Sequence, residues 1–447
     1  MSYRTYLVSA AAKAKRQGLL DFAIRYNPLA RFQVSRTIEQ FRRGDLHERR
    51  RLSDYLTSRT IAAARTSSYG NRFGERYEDW PVMTKPALRD AAAALMRRTF
   101  IKIPAATGGT TGVPLLLQRS VESIAAEQIF LDSVLGPDGP AWGPMRIAVL
   151  RGDIIKDPKD MEPPYGIRTN FGRRLLLSPV HLNPQTFPWY LEAVRSFRPQ
   201  ILLAFPNQAL NFLRLLDQSG QRIELQAIVT SSERLAPDVR RVLEASFGVP
   251  VYDFYGQSER VCFASSRSAE TYYFDPAYGR VELRPAEWCN AGPGRRGMAI
   301  IGTSFWNTAM PLVRYDTGDL AIVPDTATPE ELEQIALGLR PFPGIAGRDD
   351  EFVLTPDGMR VTSLSMIARE VDHLMQVQLI QEPCGEVVVQ AIVRPGFDAT
   401  DRAQLIANMQ AKIPASISYR LEFVDRLITT STGKTPLVIR RLAAQTS

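Results

Sequence analysis

The sequence predicts an α/β fold in two parts: a large N-terminal domain of mixed sheets and helices, and a small α+β C-terminal domain. Three observations support this. The chain has 447 residues, more than one domain of ordinary size. Short apolar runs alternate with helical segments between residues 146 and 255, a pattern typical of a largely parallel sheet. After Gly347 the segments become shorter, as in a separate unit.

The first 60 residues predict amphipathic helices with many positive charges. Thr84 precedes a helix that runs through Ala92, and helical spacing recurs over residues 120–135. We therefore divide the chain into a basic helical segment (1–60), a large domain (61–348) and a small domain (349–447).

Strands and helices alternate through the middle of the chain. The strands are predicted at 146–151, 201–205, 226–229 and 249–255. The helices are predicted to begin at Asn183-Pro184, after Pro206 and at Ala236, the last ending at Gly248. In the small domain we expect a hairpin around residues 356–358, helices near 363–374 and 400–412, and strands near 376–394 and 418–425.

The positive charge of the chain is confined to its N-terminal segment. The net charge is +8, and the first 51 residues hold 12 basic and four acidic residues. The rest of the chain is balanced, which argues against a nucleic-acid partner. Three widely separated cysteines predict neither a disulfide framework nor a zinc site. No apolar run is long enough to span a membrane.

A glycine- and threonine-rich stretch follows residue 106 and predicts an anion-binding loop. Glycines let successive amides converge on a phosphate, and threonine hydroxyls add donors without bulk. A flexible surface turn is the simpler interpretation of such a run. The residues are Thr107, Gly108, Gly109, Thr110, Thr111 and Gly112.

Four further clusters combine turn residues with charges. YGQSE (255–259) follows a predicted strand, where ligands bind in open α/β sheets. RYDTGDL (314–320) and GRDD (347–350) come later, and TGK (432–434) lies near the C-terminus. Each cluster alone could be an ordinary turn or a solvated charge run.

Taken in order, these motifs resemble the adenylate-forming (acyl-adenylate synthetase) superfamily. Within it the chain is similar to the phenylacetate–CoA ligase-like branch, and especially to CapK-type proteins. The short length and the segments WPVMTK (80–85), RGD (151–153) and LSPVHL (177–182) support the narrower resemblance. It spans roughly residues 50–440.

The resemblance implies a role for each motif. Residues 107–112 would wrap the β- and γ-phosphates of ATP, with Thr111 among the catalytic groups. Glu259 would bind Mg²⁺, Lys434 would be the mobile catalytic lysine, and Asp350 would be the hinge of a mobile C-terminal lid. The remaining nucleotide contacts would come from Ser231, Ser232, Glu233, Tyr255, Gly256, Ser258, Asp319 and Arg348.

The implied reaction activates a carboxylic acid, aromatic or otherwise apolar, as acyl-AMP and transfers it to coenzyme A. Transfer to an amine, as in CapK-type pathways of polysaccharide or small-molecule biosynthesis, is one alternative. A non-catalytic nucleotide-binding protein is another. ATP, Mg²⁺ and coenzyme A are the implied cofactors and co-substrate.

Two departures from the family pattern bear on these expectations. Leu115 stands where a lysine usually follows the phosphate-loop proline, and Cys262 lacks the nearby partners of a zinc cluster. His181 lies in the probable substrate region, and a hydrogen-bonded loop histidine is the favoured interpretation. We expect a cytoplasmic protein. Its basic N-terminus is either a solvated face or a docking site for an anionic partner, such as the inner membrane surface.

Overall fold

The computed structural model describes residues 22–99, 102–106, 115–136, 145–152, 155–157, 159–286, 293–346, 352–356, 360–361, 364–368, 371–414, 416–430 and 435–441. The α-helices of these residues are α1 (Pro28–Arg43), α2 (Leu46–Ala64), α3 (Lys85–Leu95), α4 (Val121–Ser133), α5 (Phe187–Phe197), α6 (Pro206–Gln218), α7 (Pro237–Phe247), α8 (Pro329–Ala336) and α9 (Ala399–Lys412). Short 3-10 helices lie at Gly70–Arg72, Tyr77–Asp79, Pro179–His181 and Leu364–Ala368.

Strand β1 (Ile103–Ala106) pairs with β2 (Leu116–Arg119). The largest sheet is eight-stranded, in the order β10-β9-β8-β7-β6-β3-β5-β4. Its strands are β3 (Ile147–Leu150), β4 (Gly166–Thr169), β5 (Arg174–Leu177), β6 (Ile201–Ala204), β7 (Ala227–Ser231), β8 (Val251–Gly256), β9 (Phe263–Ser268) and β10 (Thr271–Phe274). The five central strands, β8 to β5 in that order, are parallel. Four of them, β3, β6, β7 and β8, are strands that the sequence predicts, whereas β5 is not among the predicted strands. The other three strands pair antiparallel.

Helices cover both faces of this sheet, because successive residues of its strands point to opposite sides. Val149, Leu203 and Val229 pack on one side with α1, α2 and α4. The alternate residues, such as Ala148 and Leu202, pack on the other side with α5, α6 and α7. Val34 and Phe41 of the basic helix α1 belong to the first cluster, so α1 is part of the core of the large domain.

A second sheet, antiparallel, adjoins the first. Its order is β11-β12-β13-β14, from Gly279–Pro285, Arg295–Ser304, Tyr315–Pro324 and Gly344–Ala346. It shares a core with α3 and with β9 and β10.

The C-terminal residues form a unit with its own core. β15 (Val353–Leu354) and β16 (Arg360–Val361) make the predicted hairpin. β17 (Leu374–Gln381), β18 (Val387–Val393), β19 (Tyr419–Phe423) and β20 (Val438–Arg440) form a sheet in the order β19-β18-β17-β20. The large N-terminal part with mixed sheets and the small α+β part are those that the sequence predicts. The residue limits 1–60, 61–348 and 349–447 stay predictions.

Two predicted elements differ in detail. The helix expected near residues 363–374 is the short 3-10 helix Leu364–Ala368, and β17 begins at Leu374. The helix expected from Asn183 begins at Phe187. The side-chain oxygen of Asn183 accepts hydrogen bonds from the amides of Gln185 and Thr186, so this residue closes a turn before the helix.

Candidate active site

Several of the expected site residues lie at one edge of the large sheet. Ser231 ends β7, Gly256 ends β8, and Arg151 follows β3. The carboxyl ends of parallel strands meet at the same edge. The fold therefore brings together residues that are separated by 80 positions and more in the sequence.

Two tyrosine–carboxylate hydrogen bonds join the motifs YGQSE and RYDTGDL. The Tyr255 hydroxyl donates to Asp319 Oδ2 at 2.8 Å. The Tyr315 hydroxyl donates to Glu259 Oε1 at 2.9 Å. Each tyrosine precedes the carboxylate of its own segment by four residues, so the two segments are joined in both directions. Only 7% of Glu259 and 7% of Asp319 is exposed.

The surroundings keep Tyr255 neutral and in place. Gln257 Nε2 donates to the Tyr255 hydroxyl at 3.0 Å and to Cys262 Sγ at 2.7 Å. Burial raises the pKa of Tyr255 well above its ordinary value, and the charge of Asp319 raises it further. Burial also raises the pKa of Cys262 to about 12, so this thiol is protonated.

Strand β2, which follows the predicted phosphate loop in the chain, reaches the same place. Arg119 Nη2 donates to the carbonyl of Ser258 at 3.1 Å. Burial, together with the charge of the neighbouring Arg260, lowers the pKa of Arg119 to about 10. Arg260 itself donates to the carbonyl of Ser123 at 2.7 Å.

The segment 231–233 connects the sheet edge with the small domain. Arg151 donates to Ser231 Oγ, and its guanidinium carbon lies 5.3 Å from the centre of the Phe254 ring. Ser232 has a positive φ of 67°, a strained conformation for serine. Glu233 Oε1 accepts a hydrogen bond from the amide of Thr435 at 2.8 Å, so this carboxylate faces the small domain.

A second contact between the domains lies next to the first. The amide of Asn207, in the first turn of α6, donates to Glu233 Oε2 at 3.4 Å. Gln376 Nε2 of β17 donates to the Asn207 carbonyl at 2.9 Å. A cleft opens beside these bonds, with Arg214, Met375 and Thr435 in its wall.

His181 lies away from this cluster and is completely buried. Its Nδ1 lies 2.7 Å from Ser178 Oγ and its Nε2 lies 3.2 Å from the carbonyl of Asp157. Burial lowers its pKa, which favours the neutral ring. These contacts are those of a hydrogen-bonded structural histidine.

Comparisons with known proteins show which proteins this chain is similar to. Residues 353–441 match the family model of the CapK C-terminal domain. Protein CapK of Staphylococcus aureus is 23% identical over 374 residues, which are 81% of this chain and 80% of the relative. The predicted resemblance to the CapK-type branch of the adenylate-forming superfamily is confirmed.

Two further similarities concern proteins that are named as ligases. Phenylacetate-coenzyme A ligase of Pseudomonas putida is 26% identical over 175 residues, 37% of each protein. The solved structure of 2-hydroxyisobutyryl-CoA ligase in the postadenylation state has a TM-score of 0.60 at 14% identity, covering 88% of this chain and 89% of that chain. This likeness concerns the fold.

Part of the predicted site lies outside the described residues of this chain: the loop 107–112, Arg348, Asp350 and Lys434. The structure also shows site residues that the sequence did not single out, namely Tyr315, Arg119 and the contact of Arg151 with Ser231. Tyr315 could have been found, because the spacing from Tyr315 to Asp319 repeats that from Tyr255 to Glu259.

Proposed function

We propose that this chain activates a carboxylic acid with ATP as acyl-AMP and then transfers the acyl group to coenzyme A. The observation that supports the proposal best is the pair of crossed tyrosine–carboxylate bonds. They fix Glu259 and Asp319, from two separate motifs, beside the strand that follows the predicted phosphate loop. One tyrosine hydrogen bond does not by itself saturate a carboxylate group, which has several lone-pair sites.

The chemistry gives each residue a separate task. A carboxylate oxygen of the acid attacks the α-phosphorus, and pyrophosphate leaves. The thiol of coenzyme A then loses its proton and attacks the acyl carbon, and AMP leaves. In this proposal Asp319 accepts hydrogen bonds from the ribose hydroxyls. Lys434 and the amides of residues 107–112 stabilise the charge that builds up on phosphate. Ser231, Ser232, Tyr255, Gly256, Ser258 and Arg348 bind the remainder of the nucleotide.

The residues present fit a magnesium ion that is held mainly by the substrate. The described part of the chain contains no group of three or more His, Cys, Asp or Glu side chains able to form an all-protein site. Mg²⁺ commonly uses one or two carboxylates together with phosphate oxygens, and Glu259 supplies one carboxylate. When bound, the ion would neutralise phosphate charge.

Two acceptors are considered for the acyl group, coenzyme A and an amine. The names of phenylacetate-coenzyme A ligase and of the structural neighbour both include coenzyme A, a thiol acceptor. An amine acceptor, and hence an amide product, is the second candidate, because the motifs resemble those of CapK-type proteins. The acid would be aromatic or otherwise apolar, as the resemblance to the phenylacetate branch implies.

Exchange of pyrophosphate into ATP tests the first half-reaction. With ATP, Mg²⁺ and a panel of aryl, fatty and amino acids, we expect exchange that depends on one class of acid. Lys434→Ala should abolish exchange and retain ATP binding, whereas the matched Lys412→Ala should exchange as the wild type does. No exchange across the panel would contradict the proposal and favour a nucleotide-binding protein without catalysis.

The acceptor is decided by a separate measurement. The mass of the product is determined after coenzyme A or a set of amines is added to the active mixture. A thioester is expected. If an amide forms in preference to the thioester, the acceptor is an amine and not coenzyme A. The proposed activation step would be unchanged.

A further inference from the structure

An exposed apolar face lies on helix α1 and on the nearby turn between β4 and β5. Leu29 is 77% exposed, Phe32 is 68% exposed and Phe171 is 65% exposed. The rings of Phe171 and Phe22 are 5.7 Å apart in an edge-on arrangement, so the turn contacts the residues that precede α1. Large apolar side chains that are exposed together indicate a contact surface. We call Phe22, Leu29, Phe32 and Phe171 the apolar patch.

The two sides of α1 differ in character. Ala30, Val34 and Phe41 are buried against the large domain. Leu29 and Phe32 are three residues apart and so lie on one outward face. Arg36 and Arg43 continue this face toward the end of the helix and are exposed, and Arg43 forms an ion pair with Glu39 at 2.6 Å. The outward face therefore changes from apolar to basic along its length.

The turn that bears Phe171 is held in an uncommon conformation. Asn170 and Phe171 have φ values of 49° and 54°. Asparagine tolerates this left-handed region, whereas a bulky aromatic residue there is a rare outlier. The amide of Gly172 donates to the Thr169 carbonyl at 3.0 Å and closes the turn. The hairpin thus presents an aromatic ring to solvent at a conformational cost.

The charge around the apolar patch indicates what would cover it. Residues 22–51 hold eight basic and three acidic residues, and residues 1–20 hold four basic and no acidic residues. Because both segments are cationic, they repel each other, so residues 1–20 are poorly matched to cover the patch. An anionic surface complements both segments.

We propose that the apolar patch and the arginines of α1 dock on an anionic membrane surface. Apolar side chains would enter the boundary between headgroups and acyl chains, while arginines would meet lipid phosphates. Leu29, Phe32 and Phe171 project largely into solvent, where they can enter such a boundary. In the described part of the chain, no helix is both long and apolar enough to cross a membrane.

Co-sedimentation of the full-length protein with vesicles tests this proposal. One vesicle contains phosphatidylcholine alone and the other contains phosphatidylcholine and phosphatidylglycerol in equal parts. Binding is expected only to the second vesicle, and it should weaken as salt rises. The triple variant Leu29→Gln/Phe32→Gln/Phe171→Asn and the double variant Arg36→Glu/Arg43→Glu should each bind about tenfold more weakly or worse.

Two controls separate docking from misfolding and from total charge. Phe423→Thr removes a 44% exposed ring from the small domain. Arg222→Glu/Arg241→Glu makes the same change in net charge on the exposed surface of the large domain. Both controls should bind vesicles as the wild type does, and every variant should keep the wild-type melting temperature.

Three outcomes would overturn the proposal. In the first, the wild-type protein stays in the supernatant with both kinds of vesicle. This result is expected if the apolar patch binds a soluble acidic protein. The second is unchanged binding of both patch variants. The third is stronger binding after deletion of residues 2–20, which would show that this segment covers the patch.

Discussion

At the scale of single residues, the crossed bonds of Tyr255 and Tyr315 allow a direct test. Tyr315→Phe removes the hydroxyl that holds Glu259 and leaves the ring in place. A hydrogen bond to a charged group contributes about 1.5 to 3 kcal/mol. We expect acid-dependent pyrophosphate exchange to fall roughly 10- to 100-fold, since each 1.36 kcal/mol is about a tenfold change in rate.

The control for this variant is Tyr55→Phe, at an exposed position of α2. Tyr255→Phe should resemble Tyr315→Phe, with the larger change in the KM for ATP because its partner Asp319 is the proposed ribose ligand. Exchange at the wild-type rate in both buried variants would show that the two bonds serve the fold alone.

At the scale of elements, Asp253 joins three strands of the large sheet. Thr230 of β7 and Tyr272 of β10 donate to its two carboxylate oxygens, each at 2.6 Å. Burial raises the pKa of Asp253 from 3.8 to about 6. Between these pH values the native state keeps a proton that the unfolded chain has released. The free energy of unfolding therefore falls as the pH rises through this range.

Asp253→Asn imitates the protonated side chain and should remove this dependence. Relative to the wild type, the variant should gain roughly 2 to 3 kcal/mol in free energy of unfolding between pH 4 and pH 7, at about 1.4 kcal/mol per pKa unit. Denaturant unfolding at several pH values measures the difference, with the exposed Asp217→Asn as control. A difference that does not vary with pH would contradict the assigned protonation.

Helix α6 and the small domain meet at Glu233, whose two oxygens accept bonds from Asn207 and Thr435. Thr435 directly follows the proposed catalytic Lys434 in the chain. We expect Glu233→Ala to slow pyrophosphate exchange about tenfold, the loss that corresponds to one charge-assisted hydrogen bond. Transfer from supplied acyl-AMP to coenzyme A should change much less.

The matched control is Glu224→Ala, at an exposed position of the same domain. If both half-reactions of Glu233→Ala slow equally, the residue supports the site as a whole and has no special relation to the position of the small domain.

At the scale of the whole molecule, the small domain has a core of its own, built from residues such as Val353, Leu379 and Leu405. The described contacts between the domains include the polar bonds of Glu233 and Gln376. Calorimetry should therefore show two unfolding transitions. ATP with Mg²⁺ should raise the transition temperature of the large domain. A single transition with equal calorimetric and van't Hoff enthalpies would contradict this independence.

The sequence predicts most of the central sheet because its strands are short, continuous apolar runs between helices that have proline in the first turn. It predicts less at the sheet margins. Strand β9 is rich in serine, and neither its pairing with β8 nor the β4–β5 hairpin has a distinct apolar pattern. The motifs single out two segments, YGQSE and RYDTGDL, that the structure brings into contact. The bond between Tyr255 and Asp319 depends on tertiary contacts across 64 positions, which no local pattern encodes.

The equal spacing of the crossed bonds limits how this chain can vary in length. Tyr255 and Glu259 face Asp319 and Tyr315, so one inserted residue in either four-residue interval would displace a tyrosine from its carboxylate. Insertions and deletions that keep both bonds must therefore lie outside these two intervals, whereas inside them only substitutions are tolerated. A designer who wishes to change the substrate should keep both intervals at their present length.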